Sequence, residues 1–233
     1  RPGGRGEPGR DGDAAGGMKE TALPREAIQV EDRWYVLAAS PRSGEPARVL
    51  KHGESFALCD RFGDVPRVGS GEHGLYHQGT RYLSVHEMRL EGERPMLLNS
   101  GVRRDNVGLT VDCTNPDFFE EGEPPILKGT LHIARARLLW NAQCHERVQL
   151  ANFGLAPVRL ALSVEYAADY VDIFEVRGLE RARRGRPLPP RVLEGAVELG
   201  YEGLDGVTRR THISWSPAPG SLGEGRADFV VGL

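Results

Sequence analysis

The stretch "PVRLALSVEYAADYVDIFEVRG", Pro157 to Gly178, decides how the fold is read. In its first half Leu160, Leu162, Val164 and Tyr166 alternate with Ala161, Ser163 and Glu165, the period of a half-buried strand. Carried through the second half, the alternation puts Asp169, Val171, Ile173 and Glu175 on one face. Tyr170, Asp172, Phe174 and Val176 then fall on the other. On a helix the three-residue spacing of Asp169, Asp172 and Glu175 would align all three acids. On a strand Asp172 faces away, and Asp169 lies roughly 20 Å from Glu175 at ~3.3 Å per residue. Paired glycosidase carboxylates stand about 5 to 9.5 Å apart, so one straight strand does not make that pair.

Outward from this stretch, the same short β-like runs recur from Trp34 onward: "ESFALCDRFG", "RYLSVHEMRL", "VGLTVDC", "GTLHIARARLLW", "CHERVQLANF", "VELGYEG", "VTRRTHISW" and "ADFVVGL". Tight turns are predicted at Leu90–Pro95, Trp140–Gln143, Asn152–Pro157 and Gly203–Val207, where Gly, Asn or Pro punctuates the runs. Long amphipathic patterns are lacking. The expected fold is all-β, a large antiparallel β-sandwich of supersandwich-like size over residues 18–233. It follows a tail, residues 1–17, with seven glycines and no aliphatic side chain larger than Ala, which is expected to be disordered. Met18 reads as a natural initiator.

One segment departs from the pattern. Arg177–Arg191 carries six arginines and three prolines. It reads as a solvated connection whose prolines block pairing, or as a contact surface for an acidic partner or neighbouring domain.

The 233 residues carry a net charge of −3, which gives no general pull on nucleic acid or anionic membrane. No apolar run approaches the ~18 residues of a membrane helix, and no secretion-signal layout follows Arg1 or Met18. A cytoplasmic location is expected. Cys59, Cys113 and Cys144 are widely spaced, which indicates neither a disulfide framework nor a thiolate zinc site, and they read as small buried side chains. His73 and His77 have the spacing of helical metal ligands, but the glycines around them favour loop histidines. No phosphate-binding glycine loop and no Gly-x-Ser-x-Gly elbow is present. No metal or cofactor is expected.

Polar residues crowd at strand ends: Arg81, Asp105, Asn106, Asp112 and Asn115, then Asp172, Glu175 and Arg177. Half-buried charges there need partners, so Arg81 or Arg177 pairing with Asp172 or Glu175 is an ordinary structural solution. The alternative is that they edge a sugar-binding cleft or dock a second domain.

Three stretches, "GEHGLYHQGTRYLSVHEMRLEGERPMLLNSGVRRDN", "TVDCTNPDF" and "DYVDIFEVRG", resemble the N-terminal domain of bacterial and archaeal glycogen debranching enzymes of the amylo-α-1,6-glucosidase type. Asp172, Glu175 and Arg177 match that family's "D-I-F-E-V-R-G" run, and Thr80 with Arg81 its "T-R-Y-L-S" run. Some relatives carry Asp where this chain has Gly79, so no role of that Asp transfers. The resemblance implies a β-sandwich module ahead of a helical (α/α)6 barrel that holds the catalytic acids. The chain is thus expected to be a truncated, non-catalytic front domain, with that catalytic domain and an α-glucan as its partners. The rival expectation is a stand-alone carbohydrate-binding or interaction module using Trp34, Trp140, Trp215 or Tyr201.

Overall fold

The computed structural model describes residues 27–30, 33–36, 47–67, 71–119, 122 and 124–233, the first two spans by backbone alone. The expected tail of residues 1–17, Met18 and the Trp34 side chain lie outside the described residues. The chain divides into two compact units, Arg1–Val36 and Leu37–Leu233. The first contains an antiparallel hairpin of β1 (Ala27–Val30) and β2 (Arg33–Val36).

The second unit is built almost wholly of strands. In chain order these are β3 (Arg48–His52), β4 (Ser55–Cys59), β5 (Gly74–His77), β6 (Thr80–Leu83), β7 (Val85–Leu90), β8 (Met96–Val102) and β9 (Gly108–Thr114). There follow β10 (Leu131–Trp140), β11 (Gln143–Asn152), β12 (Arg159–Ala167), β13 (Arg186–Leu193), β14 (Ala196–Glu202), β15 (Thr208–Ser214), β16 (Ser221–Leu222) and β17 (Arg226–Gly232). One helical turn, α1 (Ile173–Val176), interrupts them. All the strand pairings are antiparallel.

The all-β expectation holds, but not the single large sandwich. The strands form four separate sheets, β3-β4-β5-β6, β11-β10-β9-β8, β16-β17-β12-β7 and β13-β14-β15, arranged as a propeller-like ring of four blades. The physical reason lies in the connections. Outside the β16-β17-β12-β7 sheet, neighbours are successive hairpins, and each sheet stops at three or four strands instead of growing into two broad layers.

β12 ties the ring together. Its alternation buries Leu160, Leu162 and Val164 in a cluster shared with Leu50, Met88, Val111, Ile133 and Leu139. Two residues on, Tyr166 enters a second cluster with Val197, Leu199 and Ala227. One strand therefore contributes to two apolar cores, each stabilised by about 25 cal/mol per Å² of apolar surface removed from water. No helix among the described residues is long and apolar enough to cross a membrane.

The four predicted turns fall between β7 and β8, β10 and β11, β11 and β12, and β14 and β15. Arg177–Arg191 is corrected in part. Its second half is the edge strand β13, and the register slips between Leu188 and Arg191, so Pro189 and Pro190 sit in a bulge where no ladder N–H is needed.

Candidate functional site

The run from Tyr170 to Val176 is not a strand. β12 ends at Ala167, and Tyr170 adopts a left-handed backbone at φ 53°, which breaks the pleat. Its hydroxyl donates to Leu199 O (2.9 Å), holding that break against β14. Asp172 then caps α1, accepting from the amides of Phe174 (2.8 Å) and Glu175 (3.0 Å). Glu175 returns the bond by accepting from the Asp172 amide at 3.2 Å, completing a capping box. After the turn, Gly178 (φ 98°) donates to Glu175 O and Leu179 to Phe174 O, a Schellman ending. The expectation that Asp172 and Glu175 face apart is thereby overturned, because a cap places both acids at one helix start.

Their partners also differ from those expected. Arg81 pairs with Asp169 through two bonds of 3.1 and 2.5 Å and donates to the carbonyls of Gly71 (2.7 Å) and His73 (3.1 Å). Its stem crosses Gly74, where any Cβ would collide with it. Arg181 holds Asp172, and Arg181 and Arg184 approach Glu175 at 3.6 and 3.4 Å. Arg177 takes the C-cap position with an exposed side chain. Burial would raise the Asp172 carboxyl, yet the amides of Glu175 and Phe174 and the Arg181 guanidinium hold it below the usual range. Asp172 is an ionised anchor. Backbone bonds knit the cap to β6, from Arg81 N–H to Val171 O and from Ile173 N–H to Gly79 O, both 2.8 Å.

The remaining candidates lie elsewhere. Asp112 in β9 meets His132 Nε2 at 3.1 Å across the β9–β10 ladder. Asn115, 0% exposed, bonds Pro116 O, Leu127 O and the Leu131 amide, and so fastens the loop into β10. Asp105 and Asn106 form the β8–β9 turn, Asn106 at φ 57°. Asp105 accepts from Arg103 (2.7 Å) and from the Val107 amide (3.2 Å). The eight sequence candidates therefore separate into the α1 cap, the β8–β9 turn and the β9–β10 face.

A denser cluster escaped the sequence reading. Arg135, 4% exposed, donates to Asp64 Oδ1, Phe62 O and Glu146 Oε1, all at 2.7 Å. Arg137 donates to Glu146 Oε2 (2.6 Å) and approaches His86 Nδ1 at 3.1 Å. Arg94 pairs with Asp60 and with Asp64 (3.1 Å) and lies 3.9 Å over the Phe62 ring. Burial would raise the Glu146 carboxyl, but Arg135 and Arg137 hold it far below its ordinary value. Burial pushes His86 down to about 4. Strand parity carried the signal: Leu131, Ile133 and Leu139 face inward, so Arg135 and Arg137 must do so as well.

Cys59 and Cys113 are buried and Cys144 half-buried, with the first two thiols pushed up to about 11 by burial. His77 lies in β5 with Nδ1 2.8 Å from Ser55 Oγ, and His73 in the loop before it. No group of three or more His, Cys, Asp or Glu side chains gathers as a metal site among the described residues.

Residues 50–233 match the model of a family described as the N-terminal domain of (some) glycogen debranching enzymes. No curated protein and no solved structure matches. The match spans every strand from β4 to β17 and includes both the α1 cap and the buried arginine network. This chain belongs to the family of N-terminal domains of glycogen debranching enzymes.

Proposed function

We propose that the chain is the non-catalytic front domain of a cytoplasmic glycoside hydrolase that removes α-1,6-linked glucose from branched glucans. In this reading it supports a helical catalytic barrel of the same protein, and the α1 cap with Arg81 and Arg177 edges the substrate cleft or meets that barrel. The observation that carries the reading, beside family membership, is the occupation of the α1 acids. Asp169, Asp172 and Glu175 are each tied to a guanidinium or a backbone amide, and Asp172 is held ionised. A glycosidase acid must instead keep its proton near neutral pH, which requires a raised pKa. Free, largely buried thiols accord with a reducing compartment.

The test is glucose release from a branched malto-oligosaccharide. The purified chain should release none, while the longer protein containing the barrel should be active. Glucose release by the chain alone would overturn the reading.

A further inference from the structure

Three hairpin turns converge at one end of the second unit. The Lys51 amide donates to Asn106 O (2.7 Å), the Leu139 amide to Val107 O (2.8 Å), and the Asn141 amide to His52 Nδ1 (3.1 Å). The β3–β4, β8–β9 and β10–β11 turns are thereby fastened together. At their junction Trp140 remains 50% exposed while its ring lies 3.9 Å from that of His52, tilted by 40°. Trp215, by contrast, packs on Tyr166 beside the second core.

The surface beside Trp140 is apolar in its floor and polar at its rim. Leu138 precedes it on the same face of β10 and is likewise exposed. The cross-strand neighbours of Leu138 are exposed His145 and Gly108, and in place of a side chain at the glycine the Arg103 stem lies over it. The Arg103 guanidinium is fixed by Asp105, and exposed Gln143 stands opposite Trp140.

The geometry points to a saccharide-binding platform at this end, formed by Trp140, Leu138 and the Arg103 stem, with Asp105, the Arg103 guanidinium and Gln143 as its polar rim. A pyranose ring has that complementary chemistry: a face of C–H groups to lie on an indole, and a belt of hydroxyls that both donate and accept. The Arg103–Asp105 pair is neutral overall, which fits an uncharged sugar better than a phosphate or an acidic peptide. The platform is open, so it suits the middle of a polymer rather than a chain end. Its Trp is already held by His52, which lowers the ordering cost of binding. The choice of an α-glucan among sugars rests on the function proposed above.

Calorimetric titration of the chain with maltoheptaose, with cellohexaose as control, tests this. Maltoheptaose should bind, Trp140→Ala should weaken it at least about tenfold and Asp105→Ala about threefold. Phe153→Ala, an exposed side chain beyond the far end of β11, should bind as the wild type does. Thermal melts check that each variant is folded, as expected for outward side chains. No heat from maltoheptaose, equal binding by Trp140→Ala, or binding of cellohexaose alone would each overturn the assignment. So would a wild-type dimer that Trp140→Ala dissolves without any response to sugar. Glucose release by the wild-type chain would refute the non-catalytic reading while leaving this titration unaffected, so the two failures are distinguishable.

Discussion

The network around Glu146 and the cluster around α1 are made of the same two groups, guanidinium and carboxylate, in different surroundings. Arg135, Arg137 and Asp64 are enclosed by the sheets, with 4%, 7% and 2% of their side chains exposed. Arg181 and Arg184 are about half exposed, and their bonds compete with water. The same contact therefore has unequal consequences. A buried guanidinium that loses its carboxylate is left as an uncompensated charge, whereas an exposed one is rehydrated. The difference teaches that the inner network is needed for the fold, while the outer one shapes a surface.

Substitution should separate the two most sharply at Glu146. Glu146→Gln leaves Arg135 and Arg137 without their common anion, and should cost about 3 to 5 kcal/mol in denaturant unfolding. A cost below about 1 kcal/mol would erase the contrast. Acid should act next, and on the inner network. His86 titrates near 4 in the folded chain against 6.5 ordinarily, so between these values the unfolded state binds more protons. Stability is then full above pH ~6.5 and falls on acidification by up to about 1.4 kcal/mol per unit until pH ~4. Glu146, whose folded value is depressed, adds a further loss below its ordinary value of ~4.3. His86→Gln should flatten the upper window in a pH series of thermal melts.

Arg81 stands between the extremes, half-buried and bonded to a carboxylate and two carbonyls. Arg81→Ala should cost about 2 kcal/mol and loosen the 71–73 loop, visible as faster amide exchange. The smallest effect belongs to the outer cluster. Asp172→Ala should cost about 1 kcal/mol and speed exchange at the Phe174 and Glu175 amides, leaving β10 and β11 protected. If β10 loosened as well, the two clusters would be one cooperative unit.

Much of this was legible in the chain. The alternation of Leu160, Leu162, Val164 and Tyr166 located β12 and its buried face, and the hairpin punctuation located the four turns. Two things were misread for identifiable reasons. Asp172-Ile-Phe-Glu175 followed by Gly178 is a capping box with a glycine stop, but the period-two pattern ran on into it and was given precedence. The one-turn helix is too short to show a helical period of its own. The inner network was not among the sequence candidates: strand parity points Arg135 and Arg137 inward, but their anions Asp64 and Glu146 come from other segments. How the sheets close into a ring, and that Arg81 reaches Asp169 rather than Asp172, depend on contacts between remote segments that no local pattern records.

The prolines of β13 have a consequence for the company this chain keeps. β13 borders a sheet of only three strands, so its outward row of backbone groups could template pairing with another molecule. Pro187, Pro189 and Pro190 leave β13 three amide donors short, and the register shift between Leu188 and Arg191 interrupts its ladder. An edge interrupted in this way is a poorer template for stacking strand on strand. That edge is blunted by three rings whose nitrogens carry no hydrogen to donate.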